Sequence, residues 1–325
     1  MRLLVTGVAG FIGSNFVHEA LAGLNRERFS SVTGIDSLTY AGNSLNLAKL
    51  KKFKKFEFIQ GNICSTKLMS QAIKKNDVVL NFAAETHVDN SLINSKKFVL
   101  SNYLGVSNIL NILRNFPDKK FVQISTDEVY GQINKGSWIE SDKLDPRSPY
   151  SATKAASDLL ILSYINSYGI NSCITRSSNN FGPGQHPEKL IPKTIISALK
   201  KSSIPVYGTG NNIRDWIYVG HNILAIQKII FEGTSGNIYN IGGGNELTNL
   251  DVVKKILDLL GVEHECIKFV PDRLGHDFRY SVSSNKLQTE LNFKVPKDFE
   301  TRLAETVHWY KTNSNWWNNS KLSKI

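Results

Sequence analysis

Residues 2 to 6 read as a strand, and Gly7-Val8-Ala9-Gly10-Phe11-Ile12-Gly13 follows at once, with a helical pattern from Phe11 to about Gly23. Between a strand and a helix, the first glycine permits a tight turn and the second lets backbone approach a pyrophosphate. The third lets the helix pack on the strand. A second strand, Ser31 to Ile35, ends on Asp36. A carboxylate there accepts bonds from both hydroxyls of an adenosine ribose and repels a 2′-phosphate, which favours NAD over NADP. A glycine-rich turn with a solvent-facing Asp36 is the bland alternative. Phe56 to Gln60 and Val78 to Phe82 read as further strands, and a helical segment from about Lys97 to Asn115 leads into the apolar run Phe121 to Ile124. Asn171 to Arg176 reads as another. Strands alternating with helices predict an α/β fold, a doubly wound parallel Rossmann sheet whose ligands sit beyond the carboxyl ends of the strands. Asn62 and Ile63 stand at one such end, where an adenine is contacted, although Asn62 equally suits a turn. Ala83 and Ala84 stand at another, small enough for a cofactor to pass close to the backbone.

The chain has 325 residues, enough for one large domain or two smaller ones, and its 41% hydrophobic and 21% charged content is that of a globular protein. No apolar run approaches a membrane span, and Met1-Arg2 leads straight into the first strand without the apolar core of a signal peptide. A cytoplasmic protein is expected. Cys64, Cys173 and Cys266 are far apart and the seven histidines lack HExxH spacing, so neither a disulfide framework nor a metal site is expected. A net charge of +11 raises the question of nucleic acid, but the lysines are dispersed. The dense run from Lys49 to Phe56 reads as a solvated connection. Attraction for anionic small molecules is compatible with the charge, and neither a nucleic-acid nor a membrane partner is expected.

Ser125-Thr126-Asp127-Glu128-Val129-Tyr130 places a hydroxyl and two adjacent carboxylates where a buried strand ends. A packed sheet has no use for them there, which points to a bound ligand. Tyr150-Ser151-Ala152-Thr153-Lys154 enters a helix that runs to about Tyr168, and four-residue spacing puts phenol and ammonium on one face. A nearby cation favours the phenolate, lowering the tyrosine pKa from about 10 toward a range where it serves as a base.

With these motifs the chain resembles the extended short-chain dehydrogenase/reductases that act on sugar nucleotides. Within them, Ser125-Thr-Asp-Glu-Val-Tyr-Gly131 is similar to the dTDP-glucose 4,6-dehydratases. The resemblance runs nearly end to end, through Asp36 to Gly42, Ala83 to Asp89, Ser178 to Pro183, His186 to Pro192, Arg214 to Trp216, Asn240 to Gly243 and Asp272 to His276. Two positions depart from many relatives: Leu274 replaces a proline and Asn62 an aspartate.

The resemblance implies a reaction with no net redox change. Tyr150, helped by Lys154 and with Thr126 holding the hydroxyl, removes the C4 hydroxyl proton while a hydride moves to NAD. Glu128 then takes the C5 proton, Asp127 protonates the departing C6 hydroxyl, and the hydride returns to C6. For NAD the resemblance implies Gly7, Gly10, Phe11, Ile12, Gly13, Asp36, Ser37, Leu38 and Thr39. It adds Asn62, Ile63, Phe82, Ala83, Ala84, Ser101 and Asn180, with Tyr150 and Lys154 themselves. For the nucleotide sugar it implies Thr86, Thr126, Asn179, Lys189, Leu190, Pro205, Val206 and Tyr207, then Arg214, Asn249, Arg273 and His276. For Arg214 an exposed pair with Asp215 is the bland alternative. A Rossmann domain over residues 1–176, a return to it at about 217–240, and a smaller C-terminal α/β substrate lobe over most of 177–325 are expected. Trp316 and Trp317 are expected to cap the lobe, with a loose Asn-rich tail beyond. The resemblance also implies a homodimer. A nucleotide-sugar 4-epimerase, a UDP- or CDP-glucose dehydratase, and more distantly a non-catalytic nucleotide- or nucleic-acid-binding Rossmann protein are the alternatives.

Overall fold

The computed structural model describes residues 1–318. Its strands are β1 (Arg2–Thr6), β2 (Ser31–Asp36), β3 (Phe56–Gln60), β4 (Val78–Asn81), β5 (Lys120–Thr126) and β6 (Ser172–Ser177). The later part adds β7 (Asn179–Phe181), β8 (Ile204–Tyr207), β9 (Ile213–Tyr218), β10 (Ile238–Ile241), β11 (Glu246–Thr248) and β12 (Ile267–Val270). Seven strands form a parallel sheet in the order β10-β6-β5-β4-β1-β2-β3. Central strands with side chains covered on both faces need continuous apolar runs, and Leu3-Leu4-Val5 and Val78-Val79-Leu80 supply them, all buried. Strand order reverses between β1 and β4, so the loops after Thr6 and after Asn81 diverge and leave a crevice at the carboxyl end.

Each face of the sheet has its own apolar layer. Phe16, Val17, Ile226 and Ile229 belong to one and Met69, Val106, Ile109 and Ile161 to the other. The segment from 217 to 240 leaves β9, forms the helix Val219–Glu232 on the first layer, and re-enters the main sheet as β10 beside β6. The expected helix over 97–115 is broken. Lys96–Phe98 and Gly105–Leu113 are α-helical, and Val99–Leu104 is a π-helical turn. Within that turn Asn102 is buried, with its side-chain oxygen accepting from the Glu85 N–H at 2.9 Å and its amide donating to the Thr153 hydroxyl at 3.0 Å. A widened turn at such a point is typical of functional sites.

The C-terminal lobe packs Ile195, Val252, Ile256, Leu303 and Tyr310 around Trp316 and Trp317. Trp316 Nε1 donates to Asn46 Oδ1 at 3.0 Å, tying the lobe to the Ser44–Leu50 helix. The expected loose tail lies, beyond Asn318, outside the described residues. Among the described residues no helix is long and apolar enough to cross a membrane.

Candidate active site

A cavity of about 690 Å³ opens at the carboxyl end of the sheet. The Gly7 turn forms one wall. Gly7 has φ +72°, and a Cβ on it would lie 2.7 Å from the Ala83 nitrogen. A Cβ on Gly13 would collide with the Gly7 carbonyl oxygen. No side chain caps the helix Phe11–Ala22 at Gly10, and its first residues, Phe11 to Gly13, line the cavity, an arrangement that suits an anion at the helix N-terminus. Asp36 is fixed by two backbone donors, Leu38 N–H at 2.7 Å to Oδ1 and Ala9 N–H at 2.9 Å to Oδ2. Burial raises its carboxyl, and those two bonds offset part of the rise. A glycine turn packed too closely for a Cβ at Gly7 or Gly13, beside a carboxylate held by two N–H groups, fits a dinucleotide with free ribose hydroxyls.

Phe11, Ile12, Ser37 and Thr39 line this cavity, as do Asn62 and Ile63. Phe82, Ala83, Ala84, Ser101 and Asn180 complete that side. Leu38 does not. Its φ is +53°, its N–H serves Asp36, and its side chain packs on the core. Asn62 combines both readings, because its Oδ1 accepts from Cys64 N–H at 2.8 Å as in a turn while it still lines the cavity.

β5 delivers the acids. Thr126 ends the strand with extended backbone, its hydroxyl accepting from the Glu128 N–H at 3.3 Å and donating to Asp127 Oδ1 at 3.2 Å. Asp127–Tyr130 is then a single 3₁₀ turn stopped at Gly131, where φ is +73° and a Cβ would collide with the Asp145 carbonyl. Thr126, Asp127, Glu128, Tyr150 and Lys154 all line the one cavity. Asp127 is 3% exposed and its Oδ2 is buried without a hydrogen-bond partner among the described residues. Burial, then the charge of Glu128, pushes its carboxyl well above the ordinary range. Burial raises Glu128 as well, but Lys189, Arg273 and Arg214 act to hold it ionised.

The expected lowering of Tyr150 is not found. Burial and the adjacent Glu128 raise the phenol, and a hydrogen bond with Thr126 offsets part of this. Lys154 instead donates to the Ile124 carbonyl at 2.6 Å, and burial pulls its own pKa down to about 8. Burial and the three carboxyl groups of Glu128, Asp127 and Asp158 set the direction at Tyr150.

Thr86, Asn179 and Lys189 line the cavity on the lobe side, and Lys189 Nζ donates to the Thr86 carbonyl at 3.1 Å. Apart from Thr126, the other proposed sugar-nucleotide residues lie outside that lining. Tyr207 donates to Asp89 Oδ2 at 3.2 Å and Arg273 Nη1 sits 3.5 Å from Asp89 Oδ1, while His276 Nδ1 is 2.6 Å from Asp272 Oδ1. Arg214 is buried, donates to the Ile213, Asp277 and Phe278 carbonyls, and lies 4.4 Å from the Tyr280 ring centroid. It does not pair with Asp215, whose carboxylate takes the Gly243 and Asn245 N–H groups at 2.8 Å each. Leu190 and Val206 put their side chains into apolar clusters of the lobe. Pro205 is half-buried in β8, and Asn249 begins the helix Asn249–Leu260. The departing residue Leu274 is 79% exposed.

Tyr40, His186 and Glu188 also line the cavity and were not singled out from the sequence. Glu188 Oε2 is 3.4 Å from His186 Nδ1, and the Tyr40 hydroxyl reaches Glu188 Oε1 at 3.5 Å. The signal was present, because both loops belong to the motifs Asp36 to Gly42 and His186 to Pro192.

A family model described as GDP-mannose 4,6 dehydratase matches residues 4–306. A dTDP-glucose 4,6-dehydratase of Streptomyces niveus is 44% identical over 318 residues, which cover 98% of this chain and 95% of that protein. The chain belongs to the dTDP-glucose 4,6-dehydratase family. The α/β fold, NAD as cofactor and the enzyme class expected from the sequence are those of that family. DesIV, a dTDP-glucose 4,6-dehydratase of Streptomyces venezuelae solved with NAD bound, superimposes with a TM-score of 0.95 at 43% identity, covering 98% of this chain and 99% of that one. A UDP-glucuronic acid 4-epimerase of Bacillus cereus shares the frame with a TM-score of 0.89, over 96% of this chain and 99% of its own, but at 26% identity. Dehydratases and epimerases thus share one scaffold, and the dehydratases of this family are nearer in sequence.

Proposed function

We propose that this chain converts dTDP-glucose to dTDP-4-dehydro-6-deoxy-glucose. The observation that carries this reading is one cavity holding a buried acid that favours its protonated form, an adjacent carboxylate faced by cations, and a Tyr-Lys helix face. Gly7, Gly10, Gly13 and Asp36 hold NAD, which when bound accepts a hydride from the sugar and later gives it back. Thr126 positions the C4 hydroxyl and Tyr150 removes its proton. The ketone at C4 acidifies the C5 proton, which Glu128 takes. Asp127 protonates the departing C6 hydroxyl, and Glu128 finally returns a proton to C5. Two adjacent acids serve opposite roles because both ionising together in a buried site is unfavourable.

Lys189, Arg214 and Arg273 attract the diphosphate, and the strong planar fork of arginine suits it. Residues 1–176 with 217–240 act as the cofactor domain and the rest mainly as the substrate lobe. A cytoplasmic homodimer fits the three free cysteines and the exposed Ile93, Leu104 and Leu159 on neighbouring helices. Side-by-side incubation with dTDP-, UDP- and CDP-glucose, read by the alkali-induced absorbance of a 4-keto-6-deoxy sugar, tests the reading. Preferred turnover of dTDP-glucose is expected. Conversion of dTDP-glucose only to dTDP-galactose would instead establish the 4-epimerase.

A further inference from the structure

A buried polar chain that the mechanism above does not use meets the cavity lining at Ser125, while its other members, Tyr130, Asp158, Arg176 and Asn240, lie outside that lining. Asp158, one helical turn beyond Lys154, is 0% exposed at its side chain and its partner Arg176 is 2% exposed. Asp158 Oδ2 accepts from Arg176 Nε at 2.9 Å and from the Ser125 hydroxyl at 3.0 Å. Arg176 Nη1 donates to the Tyr130 hydroxyl at 2.7 Å, and that hydroxyl donates to Asn240 Oδ1 at 2.9 Å. The Arg176 guanidinium carbon lies 4.7 Å from the Tyr130 ring centroid. Five elements meet here: the helix Pro149–Tyr168, β5, β6, β10 and the turn Asp127–Tyr130.

A buried ion pair is a poor way to gain stability, since apolar side chains of similar volume often do as well. It does fix directions. Val129 and Tyr130 pack with Ala155 and Val282, but apolar packing is non-directional, and the turn's own backbone bonds are long: Glu128 N–H to Thr126 Oγ1 and Gly131 N–H to the Glu128 carbonyl are both 3.3 Å, with Asp145 N–H to the Val129 carbonyl at 3.1 Å. The 2.7 Å bond from Arg176 to Tyr130 is the shortest polar tether on the turn.

Resting on the dehydratase reading above, we infer that Tyr130 and Arg176 are positioning residues that hold Asp127 and Glu128 in register with the helix carrying Tyr150 and Lys154. The oxidation depends on groups from that helix and from Thr126, on the strand. The dehydration depends on the turn. Loss of the tether therefore slows the second step and spares the first.

Tyr130→Phe keeps the ring, its stacking on Trp138 at 6.1 Å and its place over Arg176, and removes only the hydroxyl. Single turnover of dTDP-glucose is followed by the near-ultraviolet absorbance of reduced nicotinamide and by quenched product, alongside melting of the protein without ligands. The expected result is a first phase within about two-fold of the parental rate and a dehydration phase slowed by about ten-fold or more, so that reduced cofactor accumulates. Arg176→Lys keeps the charge facing Asp158 but loses the fork that reaches Tyr130, and is expected to show the same split. This second variant decides the question if Tyr130→Phe fails to fold. Equal slowing of both phases, in step with a lower melting temperature, or no slowing of either, would overturn the positioning role. A parental protein that forms no dehydrated product from dTDP-glucose overturns the dehydratase reading and the inference with it.

Discussion

Asp127 and Glu128 are neighbours in sequence and differ in what surrounds each. Asp127 is enclosed beside two other carboxyl groups, while Glu128 meets Lys189, Arg273 and Arg214. Asp127→Asn resembles the protonated acid in shape and removes an acid that burial already penalises when charged. We expect its thermal stability to be parental within about 0.5 kcal/mol and its product formation to fall by about 100-fold or more, checked by melting and steady-state turnover. Lys154 carries a cost of the same kind. Its pKa falls from 10.5 to about 8, a penalty of about 3 kcal/mol on the charged form. The unfolded chain binds that proton more tightly, so the penalty is full below about pH 8 and disappears as pH rises toward the unfolded value of 10.5. Lys154→Met is therefore expected to be more stable at neutral pH by about 2 kcal/mol, after allowing for the lost bond to the Ile124 carbonyl. That advantage should fade toward a pH of about 10, as melting curves at the two pH values would show. The same variant should lose most of the first oxidation.

The first turn and helix follow directly from local chemistry. Three glycines at that spacing meet the needs of a chain passing β4, its own carbonyl and a ligand, and nothing distant is required to read them. Gly13→Ala tests the point. Its Cβ meets the Gly7 carbonyl, and overpacking of this kind costs about 1–3 kcal/mol. Lower melting temperature and weaker NAD binding, followed by calorimetry, are expected together; a normal NAD affinity would show that the turn does not form the cofactor wall. The helix expected over 97–115 was less legible. Its residues have helical patterning, but Asn102 spends its side chain on Glu85 and Thr153, partners contributed by other elements, and the turn around it is π-helical. Tyr150 illustrates the same limit. Spacing correctly put it on one face with Lys154, but the direction of its pKa depends on burial and on acids arriving from β5.

In the whole molecule, motifs at the ends of the Rossmann strands converge on one cavity because parallel strands in a sheet bring their carboxyl ends together. The lobe has no such rule. β8 pairs with β12 and β9 with both β7 and β11, so the positions of Tyr207, Arg214 and Arg273 depend on long-range pairings that periodicity does not reveal. Arg214 shows what was lost: a neighbouring aspartate suggested a local pair, whereas the structure directs the guanidinium to three carbonyls and to Tyr280. In the proposed reaction the helix face bearing Tyr150 and Lys154 oxidises and the acid pair at the end of β5 dehydrates. Glu128→Gln separates them most directly. In single turnover with dTDP-glucose, the variant should still reduce bound NAD, seen as near-ultraviolet absorbance, while the 4-keto-6-deoxy product falls by about 100-fold or more. Product formed at the parental rate would contradict the division and remove Glu128 as the base.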